Sequence, residues 1–494
     1  MIDWIVNHPW TGGGILLIEF GLRVLMGFVV IARRRPVPTT LAWLVLVLFV
    51  PLIGSILYLL VGENRLGTRR RIEHDQIMSQ IEPSIISRWA ELGLTRSRPS
   101  VRSGGLELVA PHATAVGRLP PLKGNQLTLL GDTDDFLDAL IRDIDASTRH
   151  CHLLFYIWMA RGRSEEVSAA LVRASQRGVE CRVLVDSAGS KEFLASEQRR
   201  TLEREGVRVL EALPVGALRM LVARLDLRNH RKIAVFDGRV GYMGSQNLTD
   251  HGFKRSIRKK IGPWIDASVR VEGPAAQALQ LVFLHDWALE TDEDVPLDDQ
   301  YLPRVSIGDV GNGCVAQVVP TGPGPDAGAM RDALLTMIYG ARQELIITTP
   351  YFVPDDATET ALISAARRGV RVTMVLPRHS DAIVVAAAGR WTYEFLLRAG
   401  VRIVEFNDGL LHSKTVTADR CLALIGSANI DIRSFLLNFE ASLFVYDSGF
   451  AEELARLQET YMEKSVRITL GAWKQRPFHR RAAQGFARLF GPLL

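Results

Sequence analysis

Cysteine is scarce in this sequence: four are present among 494 residues, at positions 151, 181, 314 and 421. No two of them have C-x-x-C spacing, so the pattern indicates neither a zinc site nor a disulfide framework. We expect them to be buried as small apolar side chains. A phosphate-binding glycine loop is not indicated either, because the stretch TGPGPD at 321–326 has prolines where amide donors would be needed and lacks a Lys-Ser or Lys-Thr ending.

A strong excess of charge of one sign is also lacking. The chain has 59 lysines and arginines against 54 aspartates and glutamates, a net charge of +5, and an isoelectric point near 9.1. This slight excess weakly favours an anionic partner such as phospholipid or nucleic acid. With 47% apolar residues, the chain can bury the cores of two or three domains, which excludes a disordered or fibrous class.

Long apolar runs stand near the N-terminus. Residues 41–61 contain no charged side chain, and at about 1.5 Å per residue such a run spans about 30 Å of hydrocarbon. The earlier run, 15–31, includes Glu19 and Arg23, which share a helix face and can neutralise each other. The pattern predicts a transmembrane hairpin over 1–62. Arginines at both ends of the second run leave its orientation open.

After a polar connector, apolar runs alternate with amphipathic segments, which indicates an α/β fold. The stretch LVRASQRGVECRVLVD at 171–186 parallels LISAARRGVRVTMVLP at 362–377. Each reads as a helix and then a strand, with Gly178 or Gly369 just past the helix end, where a left-handed conformation is needed. The similarity of the two stretches indicates a duplicated unit, and we expect two similar lobes packed face to face.

The predicted division of the chain has five parts. It comprises the hairpin at 1–62, a connector at 63–126, a first lobe at 127–300, a second lobe at 301–470, and a basic amphipathic tail at 471–494 that is typical of a membrane-surface helix.

The duplicated unit carries one motif twice, H-x-K-x-x-x-x-D followed by G-S-x-N. The candidate residues are His230, Lys232, Asp237 and Asn247 in the first copy and His412, Lys414, Asp419 and Asn429 in the second. A single chance occurrence is expected on the order of one time in a hundred. Two occurrences at equivalent places are therefore a functional signal.

Both motifs lie on apolar stretches of period two, so the histidine and lysine of each copy share one strand face. Arg231 and Ser413, between them, point the other way. An imidazole beside an ammonium group is costly to bury unless it meets an anion. A phosphodiester suits two such pairs, since one imidazole can attack phosphorus while the other protonates the leaving oxygen. The lysines and the motif asparagines would bind the non-bridging oxygens.

Each histidine also needs a carboxylate on its other ring nitrogen to fix the tautomer. Asp266 in the first copy and Glu440 in the second begin alternating strands and are the best candidates. Asp237 and Asp419 belong to the motif but stand at odd separations from their histidines, which favours a structural role in turns. A metal site is disfavoured because the lysines would repel a cation, and no cofactor is expected.

These paired motifs resemble the phospholipase D superfamily from Leu127 onward. The blocks RNHRKIAVFDGRVGYMGSQN and GSANIDIRSFLLNFE, preceded by the apolar segment AWLVLVLFVPLIGSILYLLVGENR, are similar to bacterial cardiolipin synthases. The resemblance implies two tandem lobes of mixed sheets flanked by helices in a multi-pass protein of the bacterial inner membrane. It also implies metal-free transfer of a phosphatidyl group between two phosphatidylglycerols, through a phosphohistidine, with release of glycerol.

The resemblance suggests His230 as the nucleophile and His412 as the general acid, although the near-symmetry of the two copies permits the reverse. Hydrolysis to phosphatidic acid, or transfer to another alcohol, would use the same residues. A nuclease of the same fold is disfavoured by the predicted membrane spans, so nucleic acid is not an expected partner. The acyl-chain preference and the oligomeric state stay open.

Overall fold

The computed structural model describes most of the chain. The described residues are 9–33, 37–62, 83–96, 98–101, 104–214, 227–250, 261–291, 293, 298–304, 313–324 and 327–489. Residues 63–82 of the predicted connector and 490–494 of the predicted tail lie outside them. The chain divides into two compact units, Met1–Thr68 with Val215–Asp226, and Arg69–Pro214 with Leu227–Leu494.

The smaller unit is helical. Its elements are the α-helices Pro9–Ala32, Val37–Phe49 and Pro51–Leu57 and a π-helical turn, Tyr58–Gly62. They pack around a small core of Met26, Val30, Trp43, Val47 and Tyr58, and Arg23 bonds Glu19 at 2.7 Å.

The predicted second span, 41–61, is not one continuous helix. It is interrupted at Val50, which has φ −132° and ψ 66°, because Pro51 has no amide hydrogen to donate and disfavours a helical conformation before it. Across the described residues, no helix is both long enough and apolar enough to cross a membrane. The predicted hairpin is therefore not confirmed.

The larger unit has the expected α/β class. Its first half holds strands β1 (Leu122–Leu130), β2 (His150–Phe155), β3 (Glu180–Asp186), β4 (Arg208–Ala212), β5 (Lys232–Phe236), β6 (Val240–Gly244), β7 (Trp264–Ile265) and β8 (Ser268–Glu272). The helices of this half are 83–91, the 3-10 turn Leu106–Leu108, Val109–Gly117, Thr133–Ala146, Arg163–Gln176, Lys191–Leu194, Glu197–Arg204 and Pro274–Glu290.

The second half repeats this arrangement. Its strands are β9 (Cys314–Thr321), β10 (Glu344–Thr348), β11 (Phe352–Val353), β12 (Arg371–Pro377), β13 (Arg402–Phe406), β14 (Leu410–Leu411), β15 (Thr415–Ala418), β16 (Leu422–Gly426), β17 (Ile430–Asp431), β18 (Glu440–Val445) and β19 (Ser465–Ile468). Its helices are Ala329–Gly340, Asp356–Arg367, Ile383–Ala399, Ile432–Leu436, Ser448–Glu463, Leu470–Lys474 and Phe478–Leu489.

Fifteen strands form one mixed sheet, in the order β19-β13-β12-β10-β15-β16-β18-β9-β1-β8-β6-β5-β2-β3-β4. Reading outward from the central antiparallel pair of β9 and β1, the two sides have the same order of equivalent strands. Within this sheet β2, β3 and β4 pair in parallel, as do β10, β12 and β13, while the remaining neighbours are antiparallel. The duplicated sequence therefore corresponds to a duplicated strand order.

The two halves also share part of their buried core. One buried cluster combines Ile233 and Val269 of the first half with Ile425, Ala441 and Leu443 of the second. Burial of this apolar surface stabilises the pairing of the halves.

The glycines that follow the two equivalent helices have the left-handed conformation that the sequence predicts. Gly178 has φ 85° and Gly369 has φ 90°, and no other part of the described chain comes within 4 Å of where a Cβ would stand. Backbone conformation rather than space thus selects glycine at both positions. Of the four cysteines, Cys151, Cys181 and Cys421 are buried as expected, whereas Cys314 is partly exposed.

Candidate active site

Short parallel pairings between the halves position both motif histidines. Strand β14 pairs with β7, so that Leu411 lies beside Ile265, and an isolated parallel bridge joins Asn229 to Phe439. The next residue on each of these four segments is a histidine or an acid. Parallel registration therefore sets each histidine beside the acid of the other half.

The histidine–carboxylate pairs are consequently crossed. Nδ1 of His230 lies 3.0 Å from both carboxylate oxygens of Glu440, and Nδ1 of His412 lies 2.6 Å from Oδ1 of Asp266. The sequence order, which places Asp266 with His230 and Glu440 with His412, suggests the wrong partners. Because an ionised carboxylate only accepts hydrogen bonds, each Nδ1 carries the proton and each Nε2 is left with its lone pair.

The serines of the two G-S-x-N blocks hold the carboxylates. Ser245 Oγ donates to Asp266 at 2.6 Å, and Ser427 Oγ donates to Glu440 at 2.5 Å. Burial opposes ionisation of both acids, but the histidines and these hydrogen bonds outweigh it, so the pKa of each is lowered. G-S occurs in both copies of the motif, so the repetition itself points to the two serines. Strand periodicity alone does not assign them a role.

Burial also keeps the histidines neutral. It is the main reason that the pKa of His230 falls to about 4, with Glu440 opposing the shift and Lys232 adding to it. The pKa of His412 is lowered in the same way, by burial and then by Lys414. Neutral imidazoles with protonated Nδ1 atoms are nucleophiles or bases at Nε2.

The lysines are buried beside these rings. Nζ of Lys232 donates to the backbone oxygen of His230 at 2.5 Å. Nζ of Lys414 donates to the corresponding oxygen of His412 at 2.6 Å and lies 3.1 Å from its Nε2. Burial lowers the pKa of Lys232 to about 7 and that of Lys414 to about 8. An anion near the two ammonium groups would restore the charged form of both.

Both histidines open onto one cleft of about 620 Å³, which Asn247 and Asn429 also line. Within the described chain, Nδ2 of Asn247 is buried without a hydrogen-bond partner, so a donor is available to a ligand in the cleft. The four motif residues converge as the sequence predicts.

Several residues that the sequence did not single out as site residues also line the cleft. They are Tyr156, Trp264, Arg228, Tyr351, Asp381, Asp431 and Arg433. Tyr156 lies against His230 with ring centroids 4.8 Å apart, and Trp264 lies against His412 at 4.5 Å. The two tyrosines end equivalent apolar runs, CHLLFY and LIITTPY, so repetition was a usable signal. Trp264 and the arginines are not repeated and could be placed only by the structure.

Asp237 and Asp419 lie at the far ends of β5 and β15 from the histidines and close turns there. Both have positive φ, 53° and 50°. The Asp237 carboxylate accepts hydrogen bonds from the backbone amides of residues 148–150, and Asp419 accepts those of residues 342–344. The length of each strand lies between its aspartate and the cleft. Asp237 and Asp419 are therefore not among the reacting groups, although both belong to the motif.

Arg231 faces away from the cleft, as the strand alternation predicts, and ties the halves together. Its Nε donates to the backbone oxygen of Glu440 at 3.0 Å and its Nη2 to that of Thr321 at 2.9 Å. Its Nη1 bonds the buried carboxylate of Asp286. Because Glu440 orients His230, Arg231 positions the site through the backbone of β18.

Arg231→Met is expected to lower the free energy of unfolding by about 3–5 kcal/mol, because Asp286 would keep a buried charge without its partner. Denaturant titration of the detergent-solubilised chain measures the change. The double variant Arg231→Met/Asp286→Asn removes that charge and should recover most of the loss. If the double variant is no more stable than the single one, the carbonyl contacts rather than the ion pair carry the stability.

Comparison with known proteins gives two family matches. The family described as "Cardiolipin synthase, PLD-like domain" matches residues 140–287 and 334–462, and "Phospholipase_D-nuclease N-terminal" matches residues 24–63. The first match covers both motif copies, and the second covers most of the apolar N-terminal segment.

Curated relatives match along the whole chain. Cardiolipin synthase A of Yersinia pseudotuberculosis serotype O:1b (strain IP 31758) is 40% identical over 501 aligned residues, covering 100% of this chain and 99% of that protein. The protein of the same name from Yersinia pestis bv. Antiqua (strain Angola) gives the same values. Among solved structures, phosphatidylserine synthase of Haemophilus influenzae Rd KW20 aligns with a TM-score of 0.59 and 15% identity, over 78% of this chain and 99% of that one. At that identity the structural match shows the fold alone.

Proposed function

We propose that this chain, which belongs to the phospholipase D-like cardiolipin synthase family, transfers the phosphatidyl group of one phosphatidylglycerol to a hydroxyl of a second and releases glycerol. The chain is a phosphatidyltransferase, and the proposal concerns its substrates and its chemical steps. The observation that carries it is the convergence of two neutral histidines, each hydrogen-bonded through Nδ1 to a buried carboxylate, on one cleft. A double displacement at phosphorus needs these two groups.

In the first step, Nε2 of His230 attacks phosphorus and a P–N bond forms. The P–O bond to glycerol breaks, and His412, protonated while the anion occupies the cleft, gives its proton to the departing oxygen. The choice of His230 as the nucleophile and His412 as the acid follows the resemblance to cardiolipin synthases.

In the second step, neutral His412 removes the proton from a hydroxyl of the incoming phosphatidylglycerol. The hydroxyl oxygen attacks phosphorus, the P–N bond breaks, and both histidines return to their starting states. Lys232, Lys414 and the two motif asparagines bind the non-bridging oxygens, where charge builds up during each displacement. Glu440 and Asp266 stabilise whichever imidazole becomes positively charged.

Purified full-length chain, supplied with phosphatidylglycerol labelled in its glycerol headgroup, tests the proposal. The expected products are cardiolipin and free glycerol in a 1:1 ratio. Phosphatidic acid in place of cardiolipin would show that water is the acceptor and would reject the synthase proposal. Adding serine or ethanolamine to the assay tests other acceptor alcohols.

The pH dependence follows from the shifted groups. His230 must be neutral to attack, so kcat/KM is expected to fall below about pH 4. His412 must be protonated, and burial lowers its pKa, so kcat/KM is also expected to decline toward alkaline pH. This decline should be steepest above about pH 7, where Lys232 loses its charge as well. Lys232→Arg keeps its charge at all accessible pH. In this variant the steep decline of kcat/KM should move to about pH 8, the pKa of Lys414. If the decline stays near pH 7, loss of the Lys232 charge is not its cause.

Chelation is expected to leave the rate unchanged. In the proposed mechanism the ammonium groups of Lys232 and Lys414 do what a metal cation would do, because they neutralise charge on the phosphate oxygens. Cardiolipin formation is measured after dialysis against EDTA and after readdition of Mg²⁺ or Zn²⁺. Loss of activity that either metal restores would contradict the metal-free mechanism.

The apolar helices of residues 9–62 then lie in the bacterial inner membrane and anchor a multi-pass protein. Leu17 and Ile18 are each 74% exposed and Phe49 is 79% exposed, which in water would be unfavourable. The ion pair of Arg23 with Glu19 reduces the cost of placing these charges in hydrocarbon. Alkaline carbonate washing of membranes should leave the chain in the pellet, and its release would contradict an embedded anchor.

A further inference from the structure

The C-terminal helix Phe478–Leu489 has an inverted amphipathic arrangement. Its large apolar side chains face outward: Phe478 is 83% exposed, Phe486 64% and Leu489 67%. The side that faces the rest of the unit holds buried Ala487 and Arg488, which donates to the backbone oxygen of Pro354 at 3.1 Å. A surface helix of a water-soluble protein turns its apolar stripe toward the core. An apolar medium on the outer side of this helix would therefore stabilise it.

The neighbouring helix Ile383–Ala399 extends the same surface. Its exposed apolar side chains are Ile383, Val384, Trp391 and Phe395, and their spacing puts them on one helix face. The two helices approach closely at Gly485, where a Cβ would stand 2.9 Å from the Trp391 ring. We call the joined surface the apolar ledge: Ile383, Val384, Trp391, Phe395, Phe478, Phe486 and Leu489.

The apolar ledge adjoins the catalytic cleft. Asp381 and Val385, on either side of Ile383 in the chain, line the cleft. Ala487 of the C-terminal helix packs with Val353 and Ala388, which anchors the ledge to the segments around the cleft. A molecule held on the ledge is thus beside the opening that leads to both histidines.

Charge identifies the class of partner. The stretch 470–489 contains no aspartate or glutamate, while Lys474, Arg480 and Arg481 are exposed. Apolar side chains flanked by cations match an anionic lipid surface, where the apolar face enters the boundary between headgroups and acyl chains and the cations meet phosphates. A second copy of this chain would bring an equally basic surface, which disfavours self-association through the ledge.

We propose that the apolar ledge is the surface through which the larger unit contacts an anionic lipid leaflet, so that phosphatidylglycerol passes from the bilayer directly into the cleft. This inference rests on the proposed function for the identity of the lipid. Contact of the ledge with the leaflet does not depend on turnover, so the two can fail separately.

Depth-dependent quenching tests the contact. Phe486→Cys, Ile383→Cys and, as a control, Leu108→Cys are made in full-length chain that carries Cys314→Ala. Leu108 is 57% exposed and lies outside the ledge, and the other native cysteines are buried. Each variant is labelled with an environment-sensitive dye and placed in phosphatidylglycerol nanodiscs with or without doxyl-labelled lipid. Quenching at 486 and 383 is expected to exceed that at 108 by at least about threefold.

Equal quenching at 486, 383 and 108 would overturn the proposal. Disulfide crosslinking between copies of the Phe486→Cys variant, without quenching by lipid, would make the ledge a protein interface and would also overturn it. If lipid quenching occurs but the wild-type chain makes no cardiolipin, the lipid contact stands and the proposed function fails.

Introducing negative charge on the ledge tests the route of the substrate. Phe486→Glu/Ile383→Glu is expected to slow cardiolipin formation from nanodisc lipid by about tenfold or more, because two carboxylates repel an anionic leaflet. The rate with dihexanoyl phosphatidylglycerol, which is soluble as monomers, should stay within about twofold of wild type, and Leu108→Glu should change neither rate. A similar loss with both substrates would show a general defect and would contradict entry across the ledge.

Discussion

His230→Ala and His412→Ala are each expected to reduce cardiolipin formation by at least about 10³-fold, because either change removes one of the two groups that the proposed double displacement uses. The loss should appear in kcat, measured with labelled phosphatidylglycerol. An unchanged denaturation midpoint would exclude unfolding as the cause. A variant that keeps more than about a tenth of the wild-type rate would contradict a double displacement with two histidines.

The two histidines can be told apart with a substrate whose leaving group needs no proton, such as a phosphatidyl ester of p-nitrophenol. His412→Ala should then release about one equivalent of nitrophenol and stop, because the phosphohistidine forms at His230 but the acceptor hydroxyl is not deprotonated. His230→Ala should release none. The trapped P–N bond is detected by its lability to acid. The opposite pattern would exchange the roles of the two residues.

Glu440→Gln and Asp266→Asn should each lower kcat by about 10²–10⁴-fold, because the amide no longer holds the imidazole in the reactive tautomer or stabilises its charged form. The matched control is Asp237→Asn, an equally small change in an aspartate that bonds only turn amides and the Thr148 hydroxyl among its described contacts. This control should lower stability more than rate.

The crossed pairs make a further distinction between these variants. Because Glu440 contacts His230 and Asp266 contacts His412, Glu440→Gln should impair nitrophenol release in single-turnover assays. Asp266→Asn should spare that release and slow transfer to the acceptor. If Asp266→Asn instead impairs release, Asp266 serves the nucleophile and the assignment of the two histidines must be reversed.

The arrangement of each motif along its strand followed from local geometry. Side chains alternate across a strand, so a histidine and a lysine two residues apart must share a face, while Arg231 and the aspartate at an odd separation must face away. In the structure, the histidine and lysine of each copy lie together at the start of β5 or β15, and the two aspartates lie in turns just beyond the other end. The same rule separates the reacting groups from Asp237 and Asp419 without any knowledge of the tertiary fold.

Periodicity also predicted an amphipathic C-terminal helix that is typical of a membrane surface, but not which elements of the fold its other side packs against. A helical pattern specifies an apolar and a polar side and says nothing about which neighbour is available to either side. In the folded unit, small Ala487 and Gly485 pack against the neighbouring helix and the phenylalanines are left outside. The outward orientation of the apolar ledge is therefore a result of packing.

The sequence by itself determined the α/β class, the duplication and the motif histidines and asparagines that line the cleft, because strand alternation and repetition are properties of neighbouring positions. The tertiary structure alone decided that His230 pairs with Glu440 and His412 with Asp266. Those partners are separated by 210 and 146 positions in the chain, and the parallel contacts at Asn229–Phe439 and Leu411–Ile265 set their register. Contacts between distant segments depend on how the two halves pack, and no local pattern specifies that packing.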